Sequence, residues 1–136
     1  MKPGKRSRPE RIVKRMDVFI ARTHRLETSL LKIIDVANGA GELADSAVAE
    51  LGKARPDMRV VNNAEFVVKN MLGEMPGFFR ELDKAERTLA RASLPEEDRQ
   101  QMEAYIPRMR ERAAMVAEKL NEISARLEAA RKRRKL

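Results

Sequence analysis

The chain lacks cysteine and tryptophan altogether, and it has one histidine and one tyrosine among its 136 residues. The absence of cysteine excludes disulfide bridges, thiolate metal sites and cysteine nucleophiles, and a single histidine excludes a metal site built from several imidazoles. Only 4% of the residues are aromatic, which leaves too few rings for a platform that stacks single-stranded bases. Six glycines and six prolines are too few for a low-complexity polymer.

Long apolar runs and catalytic motifs are also missing. No segment approaches the roughly 20 apolar residues of a membrane span, and no apolar signal-peptide core follows the basic N-terminus. Glycine-rich phosphate loops, the zinc motif H-E-x-x-H and the nucleophile motif G-x-S-x-G are absent. We therefore expect a non-enzymatic protein without metal, cofactor or small-molecule substrate. It is expected in the cytoplasm, on the nucleoid or, if the protein is viral, in the virion.

What the sequence has in excess is positive charge, concentrated at its two ends. The formal net charge is +8. Residues 1–25 have nine Lys/Arg against two acidic residues, residues 131–135 add five cations, and the segment 26–130 carries a net −4. Basic ends on a mildly acidic body are typical of proteins that bind nucleic acid. The residues predicted to neutralise phosphates, without reading bases, are Lys2, Lys5, Arg6, Arg8, Arg11, Lys14, Arg15, Arg22, Arg25, Arg131, Lys132, Arg133, Arg134 and Lys135.

Fourteen cations limit the footprint of one copy on a duplex. Double-stranded DNA carries one charge per about 1.7 Å of axis, so fourteen contacts cover at most about seven base pairs. That footprint suits many copies laid side by side and is small for a solitary sequence-specific regulator. The sequence thus favours sequence-independent binding of a duplex through its backbone, with DNA as the leading partner and RNA as the alternative.

Apolar spacing predicts an all-α protein: a basic arm and long helix followed by a small helical bundle. A long amphipathic helix follows the basic arm within 1–37, a helical bundle occupies 38–131, and a basic tail forms 132–136. The predicted helices cover 10–37, 42–54, 58–73, 78–92 and 95–131. The breaks between them are predicted at 38–41, at Arg55-Pro56, at 75–77 and before a capping box that starts at Ser93, with a further interruption near 103–107 at Pro107.

The last predicted helix has the most regular apolar pattern. Its apolar residues alternate spacings of three and four over four heptads, which is the pattern of a coiled-coil seam. A seam of this length predicts a long partner helix, either the chain's own first helix or a helix of another subunit. The seam residues are Met102, Ile106, Met109, Ala113, Val116, Leu120, Ile123, Leu127 and Ala130.

This organisation resembles the major coat proteins of filamentous archaeal viruses, which are small all-α proteins with a basic N-terminal helical arm. The resemblance covers size, charge layout and helix order. It implies a structural protein that oligomerises on double-stranded DNA, wraps it in A-form and pairs with itself or with a paralogous subunit. The charge-rich composition is also typical of proteins from a hot habitat.

Two other functions are open at the level of sequence. One is a helical adaptor, or a small RNA-binding subunit of a ribonucleoprotein complex, which binds a partner helix through the seam. The more remote one is a His phosphotransfer bundle. The stretch 24–30 resembles the phosphoacceptor box of sensor histidine kinases, roughly H-E-L-R-T-P-L, at His24, Leu26, Thr28 and Leu30. It departs from that box at Arg25, Glu27 and Ser29. A membrane surface is not favoured, because the first helix lacks a bulky Trp-rich face.

Overall fold

The computed structural model describes the backbone of residues 8–91 and 94–135 and the side chains of 17–91 and 94–135. These ranges contain the helices α1 (Arg8–Leu51), α2 (Met58–Arg91), α3 (Glu96–Glu103) and α4 (Tyr105–Lys135), and no strand, so the predicted all-α class is confirmed. The three long helices pack against one another as a bundle, and the short α3 packs against α2 and α4.

Polar contacts show that α1 and α4 run parallel. Lys119 Nζ donates a hydrogen bond of 2.9 Å to Asn38 Oδ1, and the Arg126 guanidinium pairs with the Asp45 carboxylate. The partners are 81 residues apart in both pairs, so the two helices advance together in the same direction.

The helix between them, α2, runs the opposite way. Arg22 Nη1 in the first half of α1 donates a 3.0 Å hydrogen bond to Thr88 Oγ1, which lies near the end of α2. The connection 52–57 turns the chain back after α1. We call the end of the bundle formed by this connection and the last turn of α4 the loop end. The start of α1 lies at the opposite end.

Each long helix buries one stripe of residues at alternating spacings of three and four, and in α1 the position between Leu30 and Ala37 is the half-buried Ile33. The predicted seam is confirmed as a buried stripe, because all nine of its residues are at most 8% exposed. Its partners are α1 and α2 of the same chain, which was one of the two alternatives. The facing stripes consist of Phe19, Thr23, Leu26, Leu30, Ala37, Ala40, Ala44, Ala47 and Leu51 in α1, and of Val61, Ala64, Val68, Met71, Met75, Phe78, Leu82, Ala85 and Leu89 in α2. The Thr23 hydroxyl is satisfied because it donates to the Phe19 carbonyl at 2.8 Å.

The helix break predicted at residues 38–41 is wrong, and the two helices predicted over 10–37 and 42–54 are one, α1. The buried alanines of α1 continue the stripe on both sides of this segment. A methyl group on Gly41 would lie 3.9 Å from Ile123 Cδ1, an ordinary contact, so this part of α1 packs beside α4. Burial of the stripe therefore outweighs the low helix propensity of Gly39 and Gly41, about 1 kcal/mol each.

The turn predicted at 75–77 is also wrong, because α2 continues through Pro76. A proline inside a helix removes one hydrogen bond and costs about 3 kcal/mol. Pro76 is itself exposed, whereas Met75 and Phe78 on either side are buried in the stripe. Packing on both sides of the proline offsets its cost, so the helices predicted over 58–73 and 78–92 are one helix.

Two interruptions are confirmed. α1 ends before Arg55-Pro56, and a break separates α3 from α4 at Ala104. Pro107 has no N–H to donate to the carbonyl four residues earlier, at Glu103. The single helix predicted over 95–131 is therefore two, and the second continues to Lys135. The predicted cap at Ser93 lies outside the described residues.

Candidate nucleic-acid interface

The N-terminal basic set is described in part. Lys2, Lys5 and Arg6 lie outside the described residues, and so do the side chains of Arg8, Arg11, Lys14 and Arg15 on α1. Of the two with described side chains, Arg25 is exposed, whereas Arg22 is half-buried and hydrogen-bonded to Thr88. Arg22 therefore helps to hold α1 against α2, and Arg25 is directed to solvent.

Arg131, the first residue of the predicted C-terminal set, is held by α2. Its Nε and Nη2 donate to the two carboxylate oxygens of Glu65 at 2.6 Å each, and Nη2 also donates to Asn62 Oδ1 at 2.9 Å. The hydrogen bonds that Arg131 donates to Glu65 raise the pKa of Arg131. A bidentate pair of this kind fixes a side chain firmly. Arg131 therefore fastens α4 to α2 instead of presenting its charge to solvent.

Arg134 reaches across to the end of α1. Its guanidinium donates to the carbonyl oxygens of Leu51, Lys53 and Ala54 at 3.0, 2.7 and 3.2 Å. The last carbonyls of a helix have no partner within the helix, so a cationic fork satisfies several of them at once. Through these contacts the tail is tied to the connection 52–57.

The other three tail cations are exposed. Lys132 lies 3.3 Å from the exposed carboxylate of Glu128, and such a pair is weak because water screens it. Arg133 and Lys135 have no protein partner among the described residues. The predicted set 131–135 therefore divides into two residues that bind the chain itself and three that face solvent.

Sequence reasoning missed the cations that the connection brings beside the tail. Lys53 pairs with Glu50 at 2.8 Å, Arg59 pairs with Asp57 at 3.3 Å, and Arg55 is exposed without a partner among the described residues. The available signal was three cations within seven residues of a helix-breaking segment. The net charge of −4 over 26–130 conceals this local group of cations.

Neighbouring hydrogen-bond donors lower the pKa values of two carboxylates at this connection, those of Glu50 and Asp57. Hydrogen bonds from the Lys53 ammonium and then from the Asp57 backbone N–H lower the pKa of Glu50. The side chain and backbone N–H of Arg59 lower the pKa of Asp57. Both carboxylates therefore stay ionised at neutral pH and hold the connection in shape.

Arg25, the exposed residue of the N-terminal set with a described side chain, lies far from the C-terminal set. With α1 and α4 parallel at an offset of 81 residues, Arg25 is level with Ile106, and Arg131 lies 25 residues further along α4. At 1.5 Å per residue this separation is about 37 Å. Between the ends, Arg110 is paired with Asp83 and Glu86, which raise its pKa, whereas Arg80 and Arg108 are exposed without a partner among the described residues.

The seam that was predicted as a packing or oligomer surface is used within the chain. All of its residues are buried against α1 and α2. It therefore presents no apolar stripe to a second copy or to a foreign helix, and the adaptor hypothesis loses the surface on which it depended.

Other candidate features are modest. His24 is exposed on α1. Within the described ranges, no group of three or more His, Cys, Asp or Glu side chains could hold a metal ion. The helices of this same part of the chain include none with the length and apolar character needed to cross a membrane. A groove between α1 and α4 in the described part of the chain is lined mostly by polar and charged side chains, among them Asn38, Asp45 and Arg126.

No family model, curated protein or solved structure matches this chain. Its function is therefore argued from the placement of its own charges.

Proposed function

We propose that this protein is a structural, non-enzymatic protein that binds double-stranded nucleic acid, foremost DNA, through its phosphates and without reading bases. The observation that carries the proposal is the set of exposed, unpaired cations at the loop end. Arg133 and Lys135 stand there free of carboxylate partners in the described part of the chain. Arg25 and the basic stretch before it mark the other end.

Binding of this kind is driven by counterion release. Each Lys or Arg that neutralises a phosphate frees a condensed cation, so the logarithm of the binding constant falls with the logarithm of salt concentration by about 0.9 per contact. The described exposed surface has few aromatic side chains, chiefly Phe66 and Tyr105, which suits phosphate contacts better than base stacking.

The most specific form of the proposal is a coat protein that wraps the duplex in a filamentous virion. A footprint of at most about seven base pairs per copy requires many copies in a row. Because the seam is buried within each chain, neighbouring copies meet through other surfaces, and the duplex itself aligns them. Electron microscopy of the complex tests this form: continuous nucleoprotein filaments support it, and isolated particles on bare duplex contradict it.

The binding itself is tested by fluorescence anisotropy on a labelled 20-base-pair duplex between 50 and 200 mM salt. We expect a linear log–log dependence, and we expect Arg133→Ala and Lys135→Ala each to reduce its slope by about 0.9. A scrambled duplex of equal length should bind equally, and a duplex RNA competitor distinguishes the two polymers. An affinity that hardly changes over this range would rule the proposal out.

A further inference from the structure

The connection 52–57 and the end of α4 are in contact and both carry cations. Arg134 on α4 joins them through its hydrogen bonds to three carbonyls of the connection region, the longest 3.2 Å. The charged group made of the connection 52–57, the tail 131–135 and the side chains paired with them holds eight cations, Lys53, Arg55, Arg59 and 131–135, against four carboxylates, Glu50, Asp57, Glu65 and Glu128. It therefore carries a net charge of +4 although part of it belongs to the acidic middle of the sequence.

We propose that the connection and the α4 terminus form one composite phosphate-binding surface, in which Arg55, Arg133 and Lys135 contact the duplex backbone and Arg134 is the positioning residue. We call it the loop–tail surface. This inference rests on the proposed function and adds to it a binding residue, Arg55, that lies about 80 positions from the tail in sequence.

Arg55 is the cation of the connection that remains free for a ligand. Lys53 and Arg59 each have a carboxylate partner, Glu50 and Asp57 respectively. Arg55 is exposed and has no partner among the described residues. Its charge is therefore directed to solvent beside the exposed cations of α4.

The backbone that carries Arg55 is fixed on both sides. Before it, the Lys53 and Ala54 carbonyls accept hydrogen bonds from Arg134. After it, Pro56 restricts the backbone, and the Asp57 N–H donates to Glu50 Oε2 at 3.0 Å. A cation on a preorganised segment loses little backbone entropy when it meets a phosphate. This rigidity distinguishes Arg55 from a cation on a loose arm.

Arg55→Ala tests the surface against Arg80→Ala. Arg80 is exposed on α2 without a partner among the described residues and lies about 30 Å along the helix from the connection. Both variants remove one charge, but the control is several Debye lengths away at 0.1 M salt. We expect Arg55→Ala to weaken duplex binding about fivefold to tenfold at that salt and to reduce the slope by about 0.9, with Arg80→Ala within about twofold of wild type.

Arg134→Lys tests the positioning role, because it keeps the charge and removes the planar fork that reaches three carbonyls. We expect weaker binding with circular dichroism unchanged. Wild-type affinity in this variant overturns the positioning role. If the wild-type protein binds and Arg55→Ala and Arg80→Ala behave alike, the loop–tail surface is overturned and the proposed function stands. If the wild-type protein binds no duplex, the proposed function fails first.

Discussion

Neighbouring arginines in the basic tail have different partners. Arg131 is paired with Glu65, Arg134 binds the carbonyls at the end of α1, and Arg133 between them faces solvent. The difference follows from helix geometry. Residues three apart, such as Arg131 and Arg134, lie on the same face of a helix, and Arg133 lies on another face. Position 134 is also the next place in the α4 stripe after Ala130. Its guanidinium therefore reaches the end of α1, although the residue remains exposed.

At the residue scale, the lowered pKa of Glu50 makes the connection sensitive to acid. A carboxylate whose pKa is lowered by folding stabilises the folded state above its ordinary pKa of 4.5, and this stabilisation is lost as the pH falls through the lowered value. We expect Glu50→Gln to reduce the melting temperature at pH 7 and to have a smaller effect in acid. Thermal melts of both proteins from pH 7 to pH 3 measure this.

The matched control for that experiment is Glu118→Gln, an exposed position on α4 with no partner among the described residues. Its melting temperature should follow that of the wild type throughout. A difference between Glu50→Gln and wild type that is the same at pH 7 and pH 3 would contradict the assignment.

At the scale of the helix, apolar phase decides where an element ends. The stripe of α1 passes through Gly39 and Gly41 without a change of phase, and that of α2 passes through Pro76. In contrast, the buried stripe is interrupted around Arg55-Pro56, between Leu51 and Val61, and the chain turns there. The break between α3 and α4 is the exception, since the stripe keeps its phase from Met102 to Ile106 while Pro107 removes a backbone hydrogen bond.

This comparison shows what the sequence could predict. The all-α class, the α4 stripe and the breaks at Pro56 and Pro107 follow from local spacing, and all are confirmed. The full lengths of α1 and α2 were not predicted, because the low helix propensity of glycine and proline conceals the buried alanine and methionine phase that continues across them. The grouping of Arg55 with the tail depends on how distant helices pack, and local spacing carries no information about that.

Gly39→Ala should stabilise the protein. A methyl group at this position meets no heavy atom within 4 Å, and the residue lies inside α1. Alanine is favoured over glycine in a helix by about 0.5–1 kcal/mol, partly because it restricts the unfolded chain. Urea denaturation followed by circular dichroism should give a gain of about that size.

Gly73→Ala offers an independent comparison within α2, where an added methyl group also meets nothing within 4 Å. A similar gain is expected there. Loss of stability in Gly39→Ala together with a gain in Gly73→Ala would show that α1 is not helical through 38–41.

At the scale of the whole molecule, the three apolar stripes of α1, α2 and α4 pack against one another within a single chain. An apolar stripe left open drives association, whereas these are buried already. We expect the protein to sediment at the mass of one chain, 15.5 kDa, in the absence of nucleic acid, and to form larger assemblies when a duplex is added. Analytical ultracentrifugation at low micromolar concentration measures both states, and a stable dimer without duplex would contradict this expectation.

The parallel direction of α1 and α4 has an electrostatic consequence for the whole bundle. Each helix is a macrodipole with about half a negative charge at its C-terminus and half a positive charge at its N-terminus. Two helices end at the loop end and one begins there, so their dipoles leave about half a negative charge uncompensated. The basic residues at this end offset that charge before any ligand arrives. A modification that neutralised these basic residues would therefore both destabilise the bundle and weaken its binding to a polyanion.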